Sequence, residues 1–311
     1  MSDRKLKIKY LFGLFFIQII MVYIITPALI NYLFVYDNIL VDIFGQLLSF
    51  VLPICLILIA SSKNTKFGDN IMLFQVGDLY KTRINSKLTI TSIFIGILLS
   101  FVVHYLFHFV EVVYILLTDD YSIINIIPPF KMNAFLGTIL VLVIMPSIFE
   151  ELLYRGMYFD TFKYSKTLWQ YLIPTLIFSF AHRGIFSAFS AMILSLILIY
   201  YIRQYSSLKL CIIIHFVYNM ISIITSNLVS LPYSPLRLLE NYATDRMFFG
   251  ALIIYGGIIL FLVTIILLIK KTKSQKISIS EIKRFKFSLS EITMISIMLI
   301  VSSILFLLRV L

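Results

Sequence analysis

The chain has 311 residues, of which 60% are hydrophobic and only 13% are charged. Its mean hydropathy is +1.00, and several apolar runs reach the roughly 20 residues that a helix needs to cross a bilayer core. This composition excludes an ordinary soluble domain and predicts an all-α polytopic transmembrane bundle. The net charge of +11 would suit a nucleic-acid partner, so its distribution along the chain decides between nucleic acid and membrane.

Nine apolar segments are predicted to span the membrane. They cover residues 10–35, 39–60, 88–117, 134–158, 168–183, 185–203, 208–229, 247–269 and 291–310. The last has the weakest support, because residues 277–289 before it alternate charged and apolar positions, as an interfacial amphipathic stretch does. We therefore expect eight or nine spans. They divide into N-terminal helices (1–133), a catalytic core on spans 4–7 (134–230) and C-terminal helices with a basic loop (231–311).

The basic residues fall on one side of this arrangement. If the N-terminus is cytoplasmic, 21 of the 26 Lys and Arg residues lie in cytoplasmic segments, as the positive-inside rule requires. These segments are 1–9, 61–87, 155–167, 203–209 and 270–290. The charge then faces anionic lipid and cytoplasm. The pattern predicts a multi-pass cell-membrane protein with a cytoplasmic N-terminus and no nucleic-acid partner.

Span 4 carries three ionisable side chains close to the end of its apolar run: Glu150, Glu151 and Arg155. A charge inside the membrane costs about 2.5–3.5 kcal/mol on insertion scales. Glu151 and Arg155 are four residues apart, so on a helix they can form an ion pair that lowers this cost. Glu150 is rotated by about 100° around the helix from Glu151. The residue four positions after Glu150 is Tyr154, which is not a base. One carboxylate is thus predicted to be structural and the other to be free for chemistry.

Two later spans add polar residues. Span 5 ends in Phe178 and His182, and span 7 carries His215 and Asn219 on one helical face. In bundles such residues commonly form helix–helix hydrogen bonds, but six of them on three spans favour a hydrolytic site. A carboxylate in a low-dielectric interior can act as general base to a water, while His and Asn donors can stabilise an oxyanion.

The three motifs, EExxxR at Glu150, FxxxH ending at His182 and HxxxN beginning at His215, resemble those of the CPBP family. This family comprises the CAAX proteases and bacteriocin-processing (Abi) intramembrane endopeptidases. Arg155 followed by Gly156, and Pro146, also fit its first motif, whereas Tyr154 stands where phenylalanine is expected. The likeness covers about residues 134–230.

The resemblance implies that Glu150 is the general base and that His182 helps to activate the water. It implies an oxyanion site at His215 and Asn219, with Glu151 and Arg155 holding the geometry. We expect no cofactor. The alternative is a divalent metal such as zinc, for which two histidines and a glutamate could supply three ligands, although no HExxH zinc motif is present.

A rival hypothesis is a catalytically silent membrane partner that gives bacteriocin immunity or regulates an exporter, a sensor or a wall enzyme. The expected partners are the lipid bilayer and a membrane-associated peptide or protein substrate. The Ile/Lys/Asn-rich composition hints at a bacterial source. Substrate identity and oligomeric state are left open by the sequence.

Span 3 carries a second polar group, His104, His108 and Glu111, at i, i+4 and i+7. This spacing places the three side chains on one helical face, where they could bind a metal or handle protons. The group lies towards the outer end of the span, so structural hydrogen bonding or interfacial placement is the preferred interpretation.

Overall fold

The computed structural model describes residues 2–26, 28, 39–62, 84–118, 135–163, 165, 167–182, 185–230 and 287–310. Within these ranges the chain is helical apart from short turns, and no strand occurs. The α-helices are α1 (Ser2–Ile20), α2 (Ile39–Gln46), α3 (Leu52–Ser62), α4 (Ser86–Thr118), α5 (Phe135–Ile139), α6 (Met145–Glu151), α7 (Asp160–Phe162), α8 (Thr167–Phe180), α9 (Ile185–Tyr205), α10 (Leu208–Ser230) and α11 (Leu289–Val310).

Wider π-helical segments interrupt or extend several of these helices. In the described part of the chain they are Met21–Ile25, Leu47–Val51, Leu140–Ile144 and Leu152–Phe159. Helices α5, α6 and α7 and the two π segments between them form one continuous helix over residues 135–162. We name this run the glutamate helix.

The protein is an all-α polytopic membrane bundle. Five described helices are long and apolar enough to cross a membrane: Lys7–Ile25, Ser86–His104, Leu136–Phe162, Ser187–Tyr205 and Leu208–Thr225. Three shorter apolar helices accompany them: Ile43–Ile59, Leu168–Phe180 and Leu289–Leu305. Together they coincide with eight of the nine predicted spans. The remaining predicted span, 247–269, lies outside the described residues.

The three five-residue π segments share a sequence context. Each ends two residues before a proline, namely Pro27, Pro53 or Pro146, of which Pro27 lies outside the described residues. A proline ring clashes with the carbonyl four residues earlier and offers no N–H to it. A local widening of the helix relieves this conflict, and π turns of this kind are frequent at functional sites.

Helix α10 is held from two sides. On one side it packs along α4, where Gly96 allows close approach, because a Cβ at that position would lie only 2.8 Å from the Cβ of Val217. The Ser100 and Ser222 hydroxyls, 2.9 Å apart, link the same two helices. On its other side α10 contacts the glutamate helix. A two-residue turn with Ser206 at φ 49° folds α9 back onto α10.

Segments that were predicted to share one side of the membrane lie together. Lys7 of α1 forms an ion pair with Asp160, at the end of the glutamate helix. Phe287, which precedes α11, packs its ring 6.3 Å from Phe162 between centroids. Helix α11 then begins with a capping box, in which the Ser288 N–H donates to Glu291 at 2.6 Å.

The first helix begins before its predicted span. Helix α1 starts at Ser2, so the basic segment 1–9 is helical almost throughout and continues into the predicted span 10–35. Lys7 in this segment reaches the buried carboxylate of Asp160. A lysine can bury its aliphatic stem while its ammonium group stays near water.

Candidate active site

The predicted ion pair on the glutamate helix is present. Arg155 Nη1 donates to Glu151 Oε1 at 3.0 Å, and both side chains are fully buried. The pair spans the start of the π segment Leu152–Phe159. Arg155 also lies over the ring of Phe178, with its guanidinium carbon 4.5 Å from the ring centroid. A buried arginine therefore has a carboxylate on one side and an aromatic face on another.

His215 joins helix α10 to this pair. Its Nδ1 lies 2.8 Å from Glu151 Oε1, and because an ionised carboxylate only accepts, the ring donates there. The opposite ring nitrogen, Nε2, lies 4.0 Å from Glu150 Oε2. Glu151 thus orients the imidazole, and Glu150 lies in front of its other nitrogen. Such an arrangement was not foreseen from the spacing of the motifs.

Glu150 and Glu151 each have one buried carboxylate oxygen, Oε2, without a donor among the described residues, but only Glu151 receives close donors on its other oxygen, from Arg155 and His215. Glu150 is 8% exposed. A buried carboxylate oxygen without a donor is energetically unfavourable unless water or a ligand satisfies it. The position suits a group that binds a water molecule.

Phe178 is the centre around which the site side chains pack. It is fully buried, and its ring centroid lies 4.7 Å from that of His182 and 6.2 Å from that of His215. The ring of Tyr154 meets it edge-on at 4.8 Å. The sequence indicated Phe178 only as a motif position, and no signal in the sequence revealed this packing role.

His182 lies in the turn beyond the end of α8. Its Nδ1 donates to the carbonyl of Phe178 at 2.8 Å, which leaves Nε2 of the neutral ring as an acceptor. Glu150, His215 and Arg155 all lie within electrostatic range of this ring. The residue is half-buried, so it can meet water or substrate at the edge of the site.

Asn219 lies one helical turn beyond His215 and is also half-buried. Its Nδ2 donates to the backbone carbonyl of Leu142, on the glutamate helix, at 3.2 Å. The amide retains a second N–H and its own oxygen for other partners. All six predicted site residues therefore lie where the glutamate helix, α10 and the end of α8 meet.

The described residues do not bring together a set of ligands for the alternative zinc site. In the described ranges, no three His, Cys, Asp or Glu side chains are close enough together to hold a metal ion. As placed, Glu150, His182 and His215 do not form the three-ligand site that zinc would need.

Asp160 is a buried charge that the sequence analysis overlooked. Its side chain is fully buried and pairs with Lys7 and with Lys163, the latter at 2.6 Å. The i, i+3 spacing of Asp160 and Lys163 was a usable signal. Nearby, Tyr158 is fully buried with a hydroxyl that has no partner among the described residues.

The second polar group, on α4, is described only in part. His104 is half-buried and has an interaction partner. The side chains of His108 and Glu111 lie outside the described residues. The preferred structural or interfacial role of this group and the alternative metal or proton-handling role both stay hypotheses.

The central part of the chain is similar to a known protein family. The family model for Rce1-like proteins, described as type II CAAX prenyl endopeptidase Rce1-like, matches residues 132–221. The matched segment contains all six predicted site residues and confirms the family resemblance that the three motifs indicated. No curated protein and no solved structure gives a significant match to the chain.

Proposed function

We propose that this protein is an intramembrane endopeptidase that hydrolyses a peptide bond in a membrane-associated peptide or protein. The match to a protease family supports this function in general terms. The observation that carries it is the contrast between the two adjacent glutamates. Glu151 Oε1 receives Arg155 at 3.0 Å and His215 at 2.8 Å, whereas the His215 ring approaches Glu150 Oε2 only to 4.0 Å and no described residue donates to that oxygen.

Glu150 acts as the general base. It accepts a proton from a water molecule, whose oxygen attacks the scissile carbonyl carbon, and it later returns a proton to the leaving amine. His182 assists through Nε2, which accepts a hydrogen bond from the second O–H of the same water and so orients it. Glu150 lies on a helix inside the bundle, so its carboxylate is held in position before the reaction begins, as efficient catalysis requires.

The developing oxyanion is stabilised by donors on α10. The second N–H of Asn219 is available for this role, and His215 donates from Nε2 when the ring carries both protons. Glu151 and Arg155 do not touch the substrate. They hold the His215 ring in its orientation through the 2.8 Å contact at Nδ1, and thereby keep the catalytic geometry.

The decisive experiment is cleavage of a panel of membrane-associated peptides by purified protein in nanodiscs. Glu150→Gln should lower kcat by about 10²- to 10⁴-fold, because a general base contributes about that much. Glu291→Gln is the matched control, since Glu291 is also a buried glutamate but caps α11 away from the site. It should cleave normally.

Each variant is assayed with and without a strong chelator. Loss in Glu150→Gln with indifference to chelator supports a metal-free glutamate mechanism, and loss on chelation alone points to a bound metal. Normal cleavage by Glu150→Gln overturns the proposed role of this residue. If wild type cleaves nothing and a cellular phenotype survives Glu150→Gln, the silent membrane partner is the better account.

A further inference from the structure

Asn219 donates to a backbone carbonyl that lies four residues before a proline, where a π segment gives way to an α-helix. Leu142 is in the π segment Leu140–Ile144, and in the α-helical register that α6 resumes its carbonyl would accept from the N–H of residue 146. That residue is Pro146, which has no N–H. Asn219 Nδ2 donates to the Leu142 carbonyl from the neighbouring helix at 3.2 Å.

We propose that Pro146 is a positioning residue for Asn219, acting through the carbonyl of Leu142. The consequence for catalysis rests on the function proposed above, but the structural link does not. An intrahelical N–H at position 146 would compete for the carbonyl that Asn219 uses. The proline removes this competitor, and the preceding π segment Leu140–Ile144 gives the helix room for its ring.

The direction of the Asn219 amide is what this link determines. A carboxamide is planar, so holding one N–H on the Leu142 carbonyl also sets the direction of the second N–H and of the oxygen. Without the link the half-buried side chain would be free to rotate. An oxyanion donor is effective only when it is aimed at the transition state before the reaction begins.

A second helix provides a matched control. The π segment Leu47–Val51 is followed by Pro53 at the same spacing as Leu140–Ile144 is followed by Pro146. Pro53 is also buried. Ser49 lies four residues before Pro53, as Leu142 lies four residues before Pro146. This helix carries none of the six site residues. Pro53→Ala therefore reproduces the effect of replacing a proline after a π turn.

The link is tested first by a double-mutant cycle on the unfolding midpoint of the purified full-length protein in detergent. Asn219→Ala should lower the midpoint in the wild-type background and have a much smaller effect in the Pro146→Ala background, where the restored N–H is expected to bind the Leu142 carbonyl in the α-helical register. In the Pro53→Ala background Asn219→Ala should act as it does in wild type. Pro146→Val restores the same N–H with a different side chain and serves if the alanine variant folds poorly.

Equal effects of Asn219→Ala in the wild-type and Pro146→Ala backgrounds would overturn the proposal, whether or not the protein cleaves peptides. Cleavage kinetics supply the second readout. Pro146→Ala should lower kcat about tenfold with KM unchanged, since an oxyanion donor acts in the transition state, and should have no further effect when combined with Asn219→Ala. A Pro146→Ala effect on KM alone, or one that adds fully to that of Asn219→Ala, would refute a role through Asn219.

Discussion

Two ionic groups lie on the glutamate helix only a few turns apart, and they are built differently. In the site, Glu151 and Arg155 are both fully buried and a third partner, His215, completes the group. At the end of the helix the Asp160 side chain is fully buried too, but its partners Lys7 and Lys163 retain 13% and 20% exposure.

The difference lies in how arginine and lysine side chains can be buried away from water. The Arg155 guanidinium is buried whole, with Nη1 on Glu151 and its plane near the ring of Phe178, and its Nε and Nη2 have no hydrogen-bond partner among the described residues. The two lysines remain partly exposed, as suits a side chain that can bury its stem while its ammonium group stays near water. The site group therefore depends on its internal partners alone, whereas the Asp160 group keeps access to solvent and ties α1 to the glutamate helix.

The largest effect is expected from breaking the site group. Arg155→Ala should destabilise the protein by about 3–5 kcal/mol, because it leaves a buried glutamate without its cation. The measurements are the yield of folded protein and its unfolding midpoint, alongside cleavage. The double variant Glu151→Leu/Arg155→Leu removes both charges and should recover much of the yield, but no cleavage, because His215 loses its orienting partner. Wild-type stability in Arg155→Ala would contradict the contrast between the two groups.

An intermediate effect is expected from displacing α10, which carries His215, while the Asp160 group stays untouched. Gly96→Ala places a Cβ 2.8 Å from Val217 and 2.9 Å from the Ile214 carbonyl, and overpacking of this kind costs about 1–3 kcal/mol. The rate of peptide cleavage should fall together with the free energy of unfolding. Gly13→Ala is the control, since a Cβ there meets nothing within 4 Å, and it should be neutral or stabilising by up to about 1 kcal/mol. Similar unfolding midpoints for the two variants would show that the α4–α10 contact does not limit packing.

The smallest effect is expected at the Asp160 group. Lys7→Ala leaves Lys163 paired with Asp160, so the loss of stability should be below about 1 kcal/mol and should shrink further at high salt. Cleavage should be unchanged. Thermal unfolding at low and high ionic strength measures this, and a loss as large as that of Arg155→Ala would remove the distinction between the groups.

What could be predicted from the sequence was local. The Glu151–Arg155 pair followed from a spacing of four residues on one helix, and the structure contains it. The contact of His215 with Glu151 joins residues 64 apart in the chain, and that of Asn219 with Leu142 joins residues 77 apart. No spacing rule indicates which nitrogen of a histidine will face which carboxylate across two helices.

Hydropathy and motif spacing by themselves determined that this protein is a helical membrane bundle with a cluster of six polar residues on three spans. Both properties follow from short-range periodicity, because an apolar helix of sufficient length is stable in lipid whatever surrounds it. The spacing also distinguished Glu151, the partner of Arg155, from Glu150. The tertiary structure alone decided that His215 lies between the two glutamates, with Nδ1 on Glu151 and Nε2 towards Glu150. That arrangement depends on how α10 packs against the glutamate helix and α4, which brings together residues that are distant in the chain.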